Sequence, residues 1–242
     1  MPETSIIIRT KNEEKWIGQC LKILSTQSYK NFEILIIDSG STDRTLEIAK
    51  KYNTRILKIK PNEFSYPYAL NYGCKNSNAT KYFVFLSGHS LPISNSWLAD
   101  GIQDFALSDK VAGVYGCVWA LPDGTIWEKI LFSKPLDKIK HLFSNTKIIS
   151  TPKMGVLGFT NAIIRRDLWE KYNFNEAYGL GGEDGDWVNY WFKKGYKVIK
   201  DIRFSAYHSH GLNLSGLMRQ RKYWASTSTP RPFKNLEFRN KN

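Results

Sequence analysis

SIIIRTKNEE at residues 5–14 and NFEILIIDSGSTDRTLEIAKKY at residues 31–52 read as strand, helix, strand and helix in succession. Ser5 to Thr10 is a short run of β-branched and apolar residues, the pattern of a strand covered on both faces. Asn12 stands where it would cap a helix from Glu13 to Gln27, in which Trp16, Ile17, Cys20, Leu21 and Leu24 fall at helical spacing. Phe32 to Ile37 repeats the buried strand and ends at Asp38; a helix over Asp43–Tyr52 and a strand over Arg55–Ile59 follow. This alternation predicts an α/β fold, a parallel sheet with helices on both faces. Ligands of such sheets bind beyond the carboxyl ends of the strands. That rule selects Arg9 and Thr10, then Asp38, then Ser87-Gly88-His89 after the strand Tyr82–Leu86. Asp38 stands where a carboxylate can accept hydrogen bonds from ribose hydroxyls or a base edge. A dinucleotide-binding dehydrogenase also carries an acid there, but its Gly-x-Gly-x-x-Gly loop is replaced here by Arg9-Thr10-Lys11-Asn12-Glu13-Glu14.

Working outward, 242 residues suit one large domain with a real core. No apolar run is long enough to span a bilayer and no signal-peptide profile precedes the first strand, so the expectation is a cytoplasmic protein. Cys20, Cys74 and Cys117 match neither a disulfide framework nor a paired-cysteine zinc site, which predicts reduced thiols. The formal charge of +13 implies an anionic partner. Between Arg219 and Asn242 there are seven Lys or Arg against one acid, Glu237, with Trp224, Phe233 and Phe238 interleaved. That composition suggests a peripheral contact with anionic lipid at the inner face of the plasma membrane, against the plainer reading of a solvated end.

A second stretch, Gly181-Gly182-Glu183-Asp184-Gly185-Asp186-Trp187, packs three carboxylates between glycines. Adjacent carboxylates can push one pKa upward and so prepare a general base. The same acids also suit a helix N-terminus, where they complement the dipole.

These segments together resemble the opening of the family 2 glycosyltransferases, inverting enzymes of the GT-A fold. The resemblance resumes at Tyr82–Pro92, at Gly158-Phe159-Thr160-Asn161-Ala162 and at Gly182-Glu183-Asp184. It implies a Rossmann-like, nucleotide-binding mixed sheet flanked by helices. Residues 1–212 would form the GT-A domain, with 1–120 the nucleotide-sugar half and 121–212 the acceptor-binding and catalytic half; residues 213–242 would be a basic, aromatic C-terminal helix and tail. By the same resemblance Thr10 and Glu13 line the nucleotide pocket with Ser87, Asp38 binds the base or ribose, Asp43 supports the loop, and Asn71 is the polar contact of the segment 64–73. Helix capping accounts equally for Asp43.

The family carries Asp-x-Asp after its fourth strand to hold a divalent ion, Mn²⁺ or Mg²⁺. Here Ser87-Gly88-His89 stands in that place. Imidazole suits Mn²⁺ or Zn²⁺ and serves Mg²⁺ poorly. His208 and His210 lie two apart and share a face if the segment is extended. In the relatives a late His often completes the metal shell, a role the resemblance gives to His208 before His210, beside His89. The competing mechanism is metal-free, with His⁺, Arg or Lys steadying the leaving group.

After a strand expected over Val111–Trp119, the stretch from Leu121 to Lys153 loses periodicity and carries Pro122, Pro135 and Pro152, which predicts an acceptor-binding loop or lid. Asn161 and Trp187 are the acceptor-side candidates, with Trp119 and Trp127 as further stacking surfaces; turn formation and core packing are the alternatives. In inverting transfer one base takes the acceptor proton, a role assigned to Asp184, with Glu183 tuning it and Asp186 capping the helix. The expected partners are a nucleotide sugar, UDP-linked by preference with dTDP or GDP as alternatives, and a glycan or lipid-linked acceptor of bacterial surface polysaccharide synthesis. Arg219-Gln220-Arg221-Lys222-Tyr223-Trp224 does not reproduce the Gln-x-x-Arg-Trp spacing of processive members. The rivals are a non-catalytic nucleotide-sugar-binding relative and a basic nucleic-acid-binding protein; no helix-turn-helix or stacking-sheet signature supports the latter.

Overall fold

The computed structural model describes residues 1–132 and 145–227. Its first half runs β1 (Thr4–Thr10), α1 (Ile17–Ser25), β2 (Phe32–Asp38), α2 (Thr45–Ala49), β3 (Arg55–Lys58), α3 (Tyr66–Lys75), β4 (Tyr82–Ser87), β5 (Leu91–Pro92) and α4 (Trp97–Gln103). It continues through β6 (Val111–Tyr115), β7 (Val118–Trp119), α5 (Ile126–Phe132), β8 (Thr146–Ile149), β9 (Asn161–Arg165), α6 (Arg166–Lys171), α7 (Glu183–Lys193), β10 (Lys197–Asp201), β11 (Ala206–Tyr207) and α8 (Leu214–Ser226).

The main sheet has the order β3-β2-β1-β4-β9-β6-β10-β8. β1 pairs in parallel with β2 and β4, whereas β9 runs antiparallel to β4 and β6, so the sheet is mixed. Register sets Thr10 opposite Asp38 and Arg9 opposite Ser87, which brings the selected strand ends to one rim. Alternation along each strand feeds two cores. Ile7, Leu35, Ile37 and Phe85 pack on one side, and Ile6, Ile8, Ile34 and Leu86 on the other. Ile6, Ile7 and Ile8 are wholly buried, each contributing roughly 2 kcal/mol of transfer free energy. Among the described residues no helix is long and apolar enough to cross a membrane, and the three cysteines are free thiols.

Three expectations are corrected. Asn12 does not cap α1: it lies in the left-handed region (φ 56°), and its Oδ1 accepts from the Thr42 amide at 2.8 Å. The amides of Glu13 and Glu14 donate to Thr45 Oγ1 and Asp43 Oδ2, so residues 11–16 are stitched across the rim and α1 begins only at Ile17. Asp43 also accepts from the Thr45 amide at 2.9 Å, the capping arrangement. The strand expected over Val111–Trp119 is broken at Gly116, where a Cβ would lie 1.7 Å from the Phe204 carbonyl oxygen. This break sends β7 into a separate three-stranded sheet, β5-β11-β7.

Candidate functional site

The small sheet assembles one half of the site. β5 and β11 are antiparallel with Tyr207 opposite Leu91, so the chain on either side carries His89 and His208 toward each other. Their rings stack at 4.4 Å, and His210 meets both edge-on, at 5.1 and 4.7 Å. All three imidazoles offer a nitrogen within 4.8 Å of the others.

Hydrogen bonds decide which nitrogens are available. His89 Nδ1 donates to Glu13 Oε1 at 2.7 Å, since an ionised carboxylate only accepts, and this leaves the buried Nε2 without a partner. The Ser90 hydroxyl donates to the Thr160 carbonyl and accepts from His208 Nδ1–H at 3.1 Å, so Nε2 of that ring keeps its lone pair, 3.1 Å from His210 Nε2. Burial, then the charges of His89, His210 and Arg9, holds the His208 pKa well below its usual value and keeps the ring neutral. Imidazoles fixed through Nδ1 and presenting Nε2, as His89 and His208 are, with His210 beside them, form a donor set that fits a borderline transition-metal ion.

Glu128, which the sequence reading passed over, locks this cluster. It is fully buried, and its Oε1 accepts from the amides of His210 (2.9 Å) and Leu212 (3.1 Å). Its Oε2 accepts from the Thr125 amide at 2.9 Å while Thr125 Oγ1 accepts from the Glu128 amide, a reciprocal cap. Thr125-x-x-Glu128 is the sequence signature of that cap and was the available signal. Glu128→Ala leaves three partly buried amides without their carboxylate acceptor, so urea unfolding should show a loss of about 2–3 kcal/mol. Glu128→Gln should not restore it, because its amide would face donors; a wild-type midpoint in either variant removes the clamp.

The acidic half begins at Gly181 and Gly182, whose φ values of 133° and 104° suit only glycine. Both are also pressed: a Cβ on Gly181 would meet the Trp224 ring at 2.4 Å, and one on Gly182 the Thr227 carbonyl at 2.2 Å. The turn launches α7 with Glu183 buried and Asp184 half-buried. Burial raises the Glu183 pKa to about 8, helped by the neighbouring Asp184 charge and opposed by Arg9. Burial likewise raises Asp184, against the Gly185 amide donating to its Oδ1 at 2.7 Å and the charge of Arg9. Arg9 therefore acts electrostatically on both the carboxylate pair and His208. Its Nη2 donates to the Phe159 carbonyl at 3.2 Å and its guanidinium sits 4.9 Å from the Tyr66 ring centroid, while Nε is buried without a partner.

Glu183 gives a pH prediction. Its folded pKa lies above the unfolded 4.5, so the native state holds the proton more tightly. That stability is fully present below about pH 4.5 and is lost as pH rises toward 8, with a limiting slope of about 1.4 kcal/mol per unit. Denaturant titrations should show this fall, and Glu183→Gln should flatten it; an unchanged slope would contradict a buried, protonated Glu183.

Other candidates are occupied inside the fold. Asn71 uses all its bonding capacity: Nδ2 donates to the Phe174 carbonyl and Glu176, and Oδ1 accepts from Trp169 Nε1 and the Phe174 amide. It fastens α3 to the 174–176 segment and is not a free nucleotide contact. Asn161 is buried, donating to the Phe204 carbonyl at 2.6 Å and accepting from Trp97 Nε1, so the acceptor-side reading is replaced by a packing one. Trp187 is fully buried with Nε1 on the Tyr172 carbonyl and cannot stack on a sugar. Asp186 accepts from the Tyr172 and Tyr178 hydroxyls at 2.8 and 3.1 Å. Asp38 is buried and closes its own loop, accepting from Gly40 N, Ser41 N, Ser41 Oγ and Thr10 Oγ1. Ser87 ends β4 beside Arg9. Residues 133–144 of the expected lid lie outside the described residues. A pocket of about 360 Å³ opens beside His89 and His210, lined also by Glu13, Trp16, Leu121 and the Lys15–Asp123 ion pair. That volume is in the range of small-ligand sites.

Residues 5–172 match the model of glycosyl transferase family 2. The chain is 38% identical over 145 residues to the dolichyl N-acetyl-alpha-D-glucosaminyl phosphate 3-beta-D-2,3-diacetamido-2,3-dideoxy-beta-D-glucuronosyltransferase of Methanococcus voltae, covering 54% of this chain and 44% of that protein. Its fold is similar to that of the mannosyltransferase PcManGT from Pyrobaculum calidifontis in complex with GDP-Man and Mn²⁺ (TM-score 0.65, 18% identity, 91% of this chain and 60% of that one). It is also similar to S. aureus TarS 1–349 in complex with UDP (TM-score 0.64, 16% identity, 98% and 68%). The likeness to these structures establishes the GT-A-like α/β fold, and the chain spans less than half the length of the Methanococcus protein.

Proposed function

The chain belongs to glycosyl transferase family 2, and on that premise we propose that it is an inverting glycosyltransferase. It would move a sugar from a nucleotide-sugar donor, UDP-linked by preference, to a hydroxyl of a glycan or lipid-linked saccharide. The observation that carries this reading is the gathering of a carboxylate pair and three imidazoles around Arg9 at one sheet rim. The names of similar proteins support the parts: one acts on a dolichyl phosphate-linked sugar, one was captured with GDP-Man and Mn²⁺, another with UDP.

In this assignment Thr10, Glu13, Asp38 and Ser87 form the nucleotide side, with Asp38 shaping the loop that the base meets. Ser87-Gly88-His89 takes the place of the family's Asp-x-Asp, and His89, His208 and His210 would hold a divalent ion through Nε2. Such an ion, when bound, offsets the negative charge of a departing nucleoside diphosphate. Asp184, the more accessible of the two acids, takes the proton of the attacking hydroxyl. Glu183, neutral near pH 7, leaves that neighbouring charge unopposed, and Arg9 steadies it. A thermal-shift screen of UDP, GDP and dTDP with Mn²⁺ tests the reading. At 100 times Kd a nucleotide adds about 2.7 kcal/mol to folding. No shift with any nucleoside diphosphate would sink it.

A further inference from the structure

Two helices beside the cleft leave large apolar side chains in solvent. On α5, Ile126, Trp127, Ile130 and Leu131 form one exposed stripe, while Glu128 on the opposite side is fully buried. On α8, Leu214, Met218, Arg221 and Lys222 follow the i, i+4, i+7, i+8 spacing of a single helix face, and all four are exposed. The helix contains no Asp or Glu, and Arg219 adds a third cation. α5 packs against α8, so the helices that carry the two stripes are neighbours.

Both helices are also anchored to the site. Glu128 and Thr125, at the start of α5, hold the backbone of His210 and Leu212. Near the end of α8, Trp224 sits on Gly181, and the Tyr223 hydroxyl donates to the Leu180 carbonyl at 2.8 Å. An apolar stripe edged with cations and free of acids matches the interior boundary and headgroups of an anionic bilayer.

We propose that the α5–α8 face docks this protein on an anionic membrane surface, with the apolar side chains entering the headgroup boundary and Arg219, Arg221 and Lys222 meeting lipid phosphates. The surface is independent of the sugar transferred, and its failure would leave the glycosyltransferase assignment standing.

The test is co-sedimentation of the full chain with vesicles of phosphatidylcholine alone and of phosphatidylcholine mixed with phosphatidylglycerol. Binding is expected only to the anionic vesicles and should weaken with salt. Ile130→Ser with Met218→Ser keeps every charge and changes positions 59% exposed, so the fold should survive, and it should weaken binding about tenfold. Neutralising Arg221 and Lys222 should weaken it about fivefold for each cation removed. Absence of binding to anionic vesicles overturns the proposal. So does undiminished binding of the Ile130→Ser, Met218→Ser variant, which would place the contact elsewhere. A lipid-free dimer that the same variant dissociates would assign the face to a second copy instead.

Discussion

Asn in place of Asp184 is expected to leave nucleotide binding unchanged and to slow sugar transfer by roughly 10²–10⁴-fold. The substitution is nearly isosteric, and Asn Oδ1 can still accept from the Gly185 amide, so the first turn of α7 is preserved. What disappears is the capacity to take a proton. Two neighbours supply controls. Glu183→Gln replaces a carboxyl held neutral near pH 7 by another neutral group and should cost far less activity. Asp186→Asn disturbs the Tyr172 and Tyr178 hydroxyl contacts and should lower stability by about 1–2 kcal/mol without changing turnover per folded molecule. Single-turnover kinetics with saturating donor separate these cases. Near-normal transfer by Asp184→Asn would remove it as the base, and a large loss confined to Glu183→Gln would exchange the two roles.

Removing two imidazoles should have the next largest effect. Titrated with Mn²⁺ or Zn²⁺, the wild-type protein is expected to gain about 2.7 kcal/mol at 100 times Kd, each kcal/mol raising Tm by about 2–4 °C in a domain of this size. Mg²⁺ should do less, because the donor set is nitrogen and not oxygen. In the variant with His89→Ala and His208→Ala the metal-dependent rise should vanish, while the metal-free Tm falls modestly as Glu13 and Ser90 lose their imidazole partners. An equal rise in both proteins would show that metal binds elsewhere. No rise in the wild type would favour charge stabilisation by Arg9 and its neighbours.

The βαβ opening was legible because its signal is local: Ile6–Ile8 and Ile34–Ile37 have a burial pattern that any parallel sheet demands. The meeting of His89 and His208 was implied by the family resemblance and not by local pattern, because it depends on two two-residue strands that carry no periodicity to read. Asn71, Asn161 and Trp187 show the opposite difficulty. A polar or aromatic residue near a ligand site looks the same in sequence whether it faces the cleft or satisfies a buried group, and only its partners, 15 to 105 positions away, decide. Asn12 was misassigned because its side chain answers a distant loop and not the helix that follows it.

The pairing of Tyr207 with Leu91 has a consequence for how this molecule tolerates change. Only a few residues separate the end of β4 from Leu91, and both ends of that link are pinned in different sheets. Lengthening the link by one residue would shift position 89 out of phase with its pinned ends, whatever side chain it bore. Exchanging the imidazole for a carboxylate leaves the phase intact. Donor chemistry at this corner is therefore open to redesign by substitution, whereas insertions there would silence it.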